Sequence, residues 1–71
     1  MKITSTHEFG NALRMKRKAL GYTQAQVSDY TGFSTSFISD LENGKETAEL
    51  GKALFLLQLL GMDMEIRNRG E

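Results

Sequence analysis

Two short amphipathic segments lie back to back between residues 22 and 45 of the sequence. They read YTQAQVSDYT and STSFISDLEN, with Gly32 and Phe33 between them and Gly44 directly after the second. Glycine readily adopts the left-handed conformation that closes a helix, so each glycine is expected to end a very short helix. The chain is therefore constrained to contain two such helices joined by a tight turn.

The size of the chain limits what can stabilise it. With 71 residues it can form one domain, whose isolated core would be only marginally stable. It has no cysteine and a single histidine, so neither a disulfide framework nor a Cys/His zinc site can be assembled. Oligomerisation remains the expected source of additional stability.

Capping residues and glycines divide the chain into four predicted helices. A serine or threonine followed three residues later by Glu or Gln occurs at positions 5 and 23, the spacing of a capping box. The first helix is predicted at about residues 6–20, and the fourth is predicted to run to residue 60. The expected caps are Ser5, Thr23, Ser34 and Thr47, and the expected closing glycines are Gly21, Gly32, Gly44 and Gly61.

The fourth predicted helix is apolar on two sides. At 100° per residue, one face carries Leu50, Ala53, Leu54, Leu57 and Leu60, and the roughly opposite face carries Phe55, Leu56 and Leu59. A helix that is apolar all round must be buried all round. We expect the first face to pack on the core of its own chain and the second to pack on a second copy.

The period of the sequence changes to two after Gly61. Met62, Met64 and Ile66 alternate with charged residues, a pattern typical of a strand. A lone strand leaves backbone groups unpaired, so this strand is expected to pair with its copy in a homodimer. The alternative is a frayed tail. The predicted fold is all-α, with a domain at residues 1–61 and a dimerisation strand and tail at 62–71.

The second of the two short helices carries small hydroxyl side chains. Thr35, Ser36 and Ser39 would let it enter a DNA major groove about 12 Å wide, because no bulky side chain stands in the way. Two short helices joined by a glycine-containing turn match the helix-turn-helix arrangement. A helical bundle that does not bind DNA is the alternative from this pattern alone.

A longer stretch carries a more specific resemblance. TQAQVSDYTGFSTSFISDLENGK resembles the helix-turn-helix of the Cro and repressor (Xre) family of bacterial and phage regulators. The matching features are Thr23-Gln24, Gly32, Ile38-Ser39 and Glu42-Asn43-Gly44. The resemblance covers about residues 9–60 and implies a λ-repressor-like domain. GKETAELGKALFLLQLLGMDMEI is similar to the end of HipB-type antitoxins, the DNA-binding partners of HipA-type serine/threonine kinase toxins.

The family resemblance implies roles for individual residues. The implied base-reading residues are Thr35, Ser36, Phe37, Ser39 and Asp40. The implied phosphate-binding residues are Thr23, Gln24, Ser34, Asn43 and Lys45. Two of the first group have an alternative. Asp40 can hold Lys45 or an internal donor in place, because a carboxylate near phosphates is unfavourable. Phe37 can pack against the preceding helix.

Three further residues lie where the family has structural contacts. Arg17 and Glu42 match positions that form an ion pair in part of the family, the alternative being two solvated charges. Position 28 is Ser where the family usually has Ala, so its hydroxyl is expected to need a nearby carbonyl. The implied interface of the homodimer comprises Phe55, Leu56, Leu59, Met62, Met64 and Ile66.

Catalysis finds little support in the sequence. His7 is the only histidine and lies in a first helical turn, and neither a phosphate-binding loop nor metal-ligand spacing occurs. No enzyme activity, cofactor or metal is expected. The longest apolar stretch, residues 53–60, is too short to span a bilayer, so a cytoplasmic, nucleoid-associated protein is expected.

The predicted function is therefore regulatory. The sequence indicates a DNA-binding repressor that binds double-stranded operator DNA as a homodimer, and the narrower resemblance implies an antitoxin that pairs with a HipA-like kinase and represses its own operon. The net charge of zero argues mildly against non-specific DNA binding. The alternatives are an autonomous phage-type repressor and a dimeric interaction module that does not bind DNA.

Overall fold

The computed structural model describes residues 2–70 and contains four helices within them. They are α1 (Thr6–Ala19), α2 (Gln24–Thr31), α3 (Thr35–Glu42) and α4 (Leu50–Leu59). This architecture confirms the all-α fold class with four helices. The first residue of the predicted domain and the last residue of the predicted tail lie outside the described residues. No helix within residues 2–70 is long and apolar enough to cross a membrane.

The two short helices begin at the predicted caps. At the start of α2, the Thr23 hydroxyl accepts a hydrogen bond from the Gln26 N–H at 3.1 Å, and the Gln26 side chain accepts one from the Thr23 N–H at 2.9 Å. The Ser34 hydroxyl accepts the Phe37 N–H at 3.0 Å at the start of α3. These bonds satisfy donors that a helix start leaves unpaired, so both helices begin at a fixed residue.

Ser5 caps α1 as predicted, but the predicted capping box of α1 and the predicted cap of α4 are wrong. At α1 the Ser5 hydroxyl accepts the Glu8 N–H at 3.1 Å, but the Glu8 carboxylate accepts the N–H of Thr4 and completes no capping box with Ser5. The prediction that Thr47 caps the last helix is wrong. Residues 45–48 form a turn, and the N-cap of α4 is Glu49, which makes no side-chain capping bond.

The core takes residues from all four helices. Leu13, Ile38 and Leu56 are the largest fully buried side chains, and they come from α1, α3 and α4. The buried core consists of Leu13, Val27, Ile38, Leu41, Ala53, Leu56, Leu57 and Leu60. Because Ile38 and Leu41 anchor α3 on its inner side, the opposite side of that helix faces solvent.

The orientation of α4 corrects one predicted interface residue. Leu56 is 1% exposed and belongs to the core of its own subunit, so the prediction that it contacts a second copy is wrong. The buried stripe runs through positions 53, 56, 57 and 60, the spacing of one helical face. Leu50, predicted to be internal, is 67% exposed, while Phe55 and Leu59 remain partly open to solvent.

The carboxyl-terminal segment forms no strand within the described residues. Residues 62–68 have no regular secondary structure. A strand needs hydrogen bonds to a neighbouring strand, and residues 2–70 of the single chain offer no such neighbour. Met62 packs partly against the core, whereas Met64 is exposed and Ile66 is 92% exposed. Pairing of this segment between two copies therefore stays a prediction.

One buried glycine brings α1 close to α3. A Cβ atom built on Gly10 would lie 2.6 Å from the carbonyl oxygen of Glu42, closer than real Cβ atoms approach other atoms. Only glycine lets the α1 backbone approach the end of α3 in this way. No pattern in the sequence distinguished this position, because a glycine inside a predicted helix usually signals weakness and not contact.

Candidate nucleic-acid interface

The outer face of α3 is polar and accessible. Thr35, Ser36 and Asp40 are exposed and Ser39 is half-buried, while Ile38 on the same helix is fully buried. The helical period separates these two groups, because residues three or four apart share a side. The helix is therefore anchored to the core on one side and presents short hydroxyl side chains to solvent on the other, as entry into a major groove requires.

Two of the predicted base-reading residues are engaged within the chain. Phe37 is partly buried and packs edge-to-face on Phe33, with ring centroids 5.3 Å apart and an interplanar angle of 66°. Its ring thus supports the start of α3 from the inside. The Ser39 hydroxyl accepts a hydrogen bond from the Asn43 side-chain amide at 3.4 Å, so these two side chains lie together at the end of the helix.

Asp40 forms the contact predicted as its alternative role. Its Oδ2 atom lies 3.5 Å from the Lys45 Nζ atom, and both side chains are about half exposed. An ion pair this open to water contributes little to stability. It nevertheless offsets part of the negative charge of Asp40 beside the exposed face of α3, and its weakness leaves Lys45 free to exchange partners.

The turn before α3 is fixed by hydrogen bonds on both sides. Gly32 adopts the left-handed conformation with φ of 79°, and its N–H donates to the Ser28 carbonyl at 2.9 Å. The Ser28 hydroxyl donates to the Phe33 carbonyl, the local partner that the sequence required. The Phe33 N–H donates to the Thr31 hydroxyl at 3.1 Å. These bonds fix the angle between α2 and α3.

A buried ion pair ties the end of α3 to α1. The Arg17 guanidinium donates from Nε to Glu42 Oε2 at 2.7 Å and from Nη2 to Glu42 Oε1 at 2.9 Å. Its Nη1 atom donates to the Tyr22 carbonyl at 2.8 Å, in the segment that leads into α2. Both residues are 6% exposed, so this two-pronged contact is shielded from water.

The electrostatics of the pair favour its charged form. Burial alone would raise the pKa of Glu42, but hydrogen bonds from Arg17 and Gln24 and the charges of Arg17 and Arg14 outweigh it and leave the pKa below 4.5. The hydrogen bond to Glu42 raises the pKa of Arg17 despite its burial. Both groups therefore remain ionised at neutral pH.

Gln24 belongs to this network, which sequence reasoning did not anticipate. Its Nε2 atom donates to Glu42 Oε1 at 3.1 Å, so the first residue of α2 is tied to the last residue of α3. The second hydrogen of that amide is not needed for this bond. Gln24 was predicted to reach outward to a phosphate, but in the structure its side chain is bound to the buried Glu42 carboxylate. No sequence motif encodes this contact.

The predicted phosphate-binding residues flank α3 at its two ends. Gln24 and Asn43 lie near its carboxyl end, and Ser34 caps its amino end. The hydroxyls of Thr23 and Ser34 accept backbone N–H groups as caps, which leaves each hydroxyl hydrogen free to donate. The structure therefore places hydrogen-bond donors at both ends of the exposed face of α3.

This fold and its exposed α3 face define a helix-turn-helix domain of the kind found in small transcriptional regulators. Residues 13–66 match the helix-turn-helix family model, and the chain belongs to this family. Helix-turn-helix regulators are not enzymes, and this chain belongs to their family. The resemblance noted in the sequence is thereby confirmed.

Individual relatives span nearly the whole chain. An uncharacterized HTH-type transcriptional regulator, y4mF of Sinorhizobium fredii, is 37% identical over 70 residues, which is 99% of this chain and 92% of that protein. Antitoxin HipB of Escherichia coli (strain K12) is 29% identical over 65 residues, covering 92% of this chain and 74% of that protein. A chain in the solved HipA-HipB-O2-O3 complex superposes with a TM-score of 0.85 at 28% identity, covering 97% of both chains.

Proposed function

We propose that this protein is a sequence-specific repressor that places α3 in the major groove of operator DNA. The observation that carries the proposal is the exposure of Thr35 and Ser36 on a helix whose other side is anchored by the buried Ile38. Hydroxyl groups both donate and accept hydrogen bonds, so they suit the edges of several bases. When Lys45 leaves Asp40 to bind a phosphate, the Asp40 carboxylate accepts a hydrogen bond from a cytosine amine. Ser39 precedes Asp40 on the same helix.

The backbone contacts in this proposal come mainly from neutral donors. Thr23, Gln24, Ser34 and Asn43 offer amide or hydroxyl groups at the two ends of α3, and Lys45 offers the one cation. Such contacts set the register of the protein on the duplex and carry no sequence information themselves. With zero net charge, the protein depends on this geometry more than on charge attraction.

Two copies are needed for a full operator in this proposal. Phe55 and Leu59 leave apolar side chains open to solvent on α4, and Met64 and Ile66 are exposed on the terminal segment. The copies pack α4 against α4 and pair residues 62–66 as strands, with Met62 at the edge of the core. The two α3 helices would then meet half-sites about 34–36 Å apart, one turn of B-form DNA.

The narrower part of the proposal is an antitoxin role. The protein would bind a HipA-like serine/threonine kinase toxin and occupy the promoter of their shared operon. Its support is the 29% identity to an antitoxin HipB and the TM-score of 0.85 to a chain of the HipA-HipB-O2-O3 complex. The 37% identity to a protein described only as a transcriptional regulator favours the second candidate, a repressor without a toxin.

DNA reading is tested with binding sites selected from random duplexes. We expect the wild-type protein to select a paired site. Thr35→Ala combined with Ser36→Ala is expected to weaken binding by at least about 30-fold, because each of the two lost base contacts costs about 1–3 kcal/mol. Fluorescence anisotropy measures the affinity and sedimentation measures dimerisation. Thr47→Ala removes an exposed hydroxyl outside α3 and serves as the matched control.

Two outcomes contradict DNA reading. Selection of no duplex by a folded dimer identifies an interaction module instead. Equal affinity of the double variant and the wild-type protein shows that α3 does not read the bases.

The antitoxin role is tested by co-expression with the product of the neighbouring gene. If that gene encodes a kinase-like protein, we expect the two proteins to purify as one complex that still binds the selected site. A kinase-like neighbour that never co-purifies contradicts the antitoxin role, and a neighbour of another kind leaves the autonomous repressor as the answer.

A further inference from the structure

Three aromatic rings connect α4 to the start of α3. Phe33, in the turn before α3, packs edge-to-face on Phe37 with centroids 5.3 Å apart. It also packs on Phe55 of α4, with centroids 5.8 Å apart and an interplanar angle of 75°. These rings, together with Lys52, are called the aromatic bridge below.

Lys52 closes the aromatic bridge on the α4 side. Its Nζ atom lies 5.8 Å from the centroid of the Phe33 ring and 5.6 Å from that of Phe37, within the range of a cation–π contact. The same atom lies 3.0 Å from a carboxylate oxygen of Glu49. Lys52 lies one helical turn before Phe55 on α4. The helix therefore contacts the region around the start of α3 at two points, through the ammonium group of Lys52 and through the ring of Phe55.

Phe33 has little freedom to adapt if its neighbours move. Its carbonyl accepts the Ser28 hydroxyl, and its N–H donates to the Thr31 hydroxyl at 3.1 Å. The backbone of Phe33 is therefore bound to α2 on both sides, while its ring lies against α3 and α4. A displacement of α4 at Phe55 must be transmitted to Phe37, because packed side chains have discrete arrangements.

Phe55 also belongs to the surface assigned to the dimer. Its ring is 50% exposed, with one side on Phe33 and the other open beside Leu59. A second copy packed on α4 would therefore press on the ring that supports the first turn of α3. This contact links the dimer interface to the reading helix without passing through the central core.

We propose that Phe33 is a positioning residue that sets which spacing of half-sites the dimer accepts. This inference rests on the proposed function, since it needs a dimer that binds paired sites. Adding one base pair moves a half-site by about 3.4 Å and rotates it by about 35° around the duplex axis. If the aromatic bridge holds α3 rigidly against α4, the dimer cannot follow that displacement and binds the altered operator weakly. If the bridge is loosened, α3 can move and the altered operator is bound more nearly as well.

The test compares spacing preference in two variants that carry the same substitution. Phe33→Leu removes the central ring of the aromatic bridge, and Phe9→Leu removes a ring of α1 that is also partly buried against the core. Each protein is titrated with the selected operator and with operators carrying one base pair more or fewer at the centre. We expect the wild-type preference for its own spacing to fall at least fivefold in Phe33→Leu and to be unchanged in Phe9→Leu.

The ratio of two affinities separates positioning from general loss of structure. A variant that merely folds less well loses affinity for all spacings in proportion, so its ratio does not change. Lys52→Met provides a second test if Phe33→Leu does not fold. This substitution keeps an unbranched apolar side chain and removes the charge over the rings. We expect it to lower the preference for the selected spacing about twofold. The inference is overturned if Phe33→Leu forms a folded dimer with the wild-type ratio of affinities for the two spacings. If Phe33→Leu does not fold, the same result for Lys52→Met overturns it. In either case the proposed function still stands. A wild-type protein that selects no paired site overturns the proposed function as well.

Discussion

The guanidinium of Arg17 makes three hydrogen bonds, two to Glu42 and one to the Tyr22 carbonyl. Glu42 in turn accepts the amide of Gln24. One buried carboxylate therefore joins α1, the start of α2 and the end of α3. At the residue scale, this network determines where the two helices of the DNA-binding motif lie relative to each other.

Removing one member of the ion pair should be more harmful than removing both. Arg17→Met leaves the Glu42 carboxylate buried without its partner, which is expected to lower the free energy of unfolding by about 3–5 kcal/mol. Arg17→Met combined with Glu42→Leu leaves no buried charge and should recover much of that loss. Urea denaturation measures both. A double variant no more stable than the single one contradicts the account.

The ion pair also predicts how stability depends on pH. The pKa of Glu42 is lower in the folded chain than its ordinary value of 4.5. The folded state therefore favours the ionised carboxylate, and this stabilisation is present above pH 4.5 and is lost as pH falls through the folded pKa. The urea midpoint of the wild-type protein should decrease below that pH. Arg17→Met with Glu42→Leu should lack this component, and identical pH profiles would contradict the assignment.

The residues of the site were predictable to the extent that their chemistry is local. Small hydroxyl groups on a short helix indicated that Thr35 and Ser36 are exposed, as the structure shows. A serine at a tight position indicated the need for a nearby carbonyl, which the structure identifies as that of Phe33. The bond between Gln24 and Glu42 was not predictable, because it joins residues 18 positions apart through a side-chain geometry that no spacing encodes.

At the scale of the helices, two glycines should respond oppositely to the same substitution. Gly10→Ala would place a methyl group 2.6 Å from the Glu42 carbonyl oxygen, so we expect the gap between α1 and α3 to open at a cost of about 2 kcal/mol or more. Gly51 lies in the first turn of α4 with nothing within 4 Å of a built Cβ. Gly51→Ala should stabilise the protein by about 0.5–1 kcal/mol.

Thermal or urea unfolding of the two variants measures this difference. Both variants replace a helical glycine by alanine, and only the space around the added methyl group differs. If both substitutions shift stability in the same direction, close packing at Gly10 is not what holds α1 against α3.

The helices themselves could be predicted better than their orientations. Caps and glycines act within a few residues, so α2 and α3 begin where Thr23 and Ser34 indicated. The faces of α4 could not be assigned in the same way. Leu50 and Leu56 carry identical side chains, and which of them is buried depends on where α1 and α3 lie. A strand that needs a second chain is beyond what one sequence determines.

At the scale of the whole molecule, the exposed residues of the terminal segment should matter only to the proposed dimer. Ile66 is 92% exposed in the single chain, so Ile66→Asp should not disturb the fold of one subunit. In the proposed dimer it removes a buried apolar contact, and the dimer dissociation constant is expected to rise at least tenfold. Met15→Asp, at an exposed apolar position on α1 away from the proposed interface, is the control.

Sedimentation equilibrium distinguishes these outcomes for the dimer. A dissociation constant that is the same in Ile66→Asp and in the wild-type protein would show that residues 62–66 do not pair between copies. The α4 surface around Phe55 and Leu59 would then have to form the whole interface.

Dimethyl sulfate footprinting of the selected operator tests most directly whether α3 reads the major groove. The reagent methylates guanine N7 in the major groove and adenine N3 in the minor groove, so it reports on both sides of the duplex. We expect protection of guanine N7 in two patches about 10 base pairs apart, on one face of the DNA. Protection confined to adenine N3, or a single unpaired patch, would contradict it.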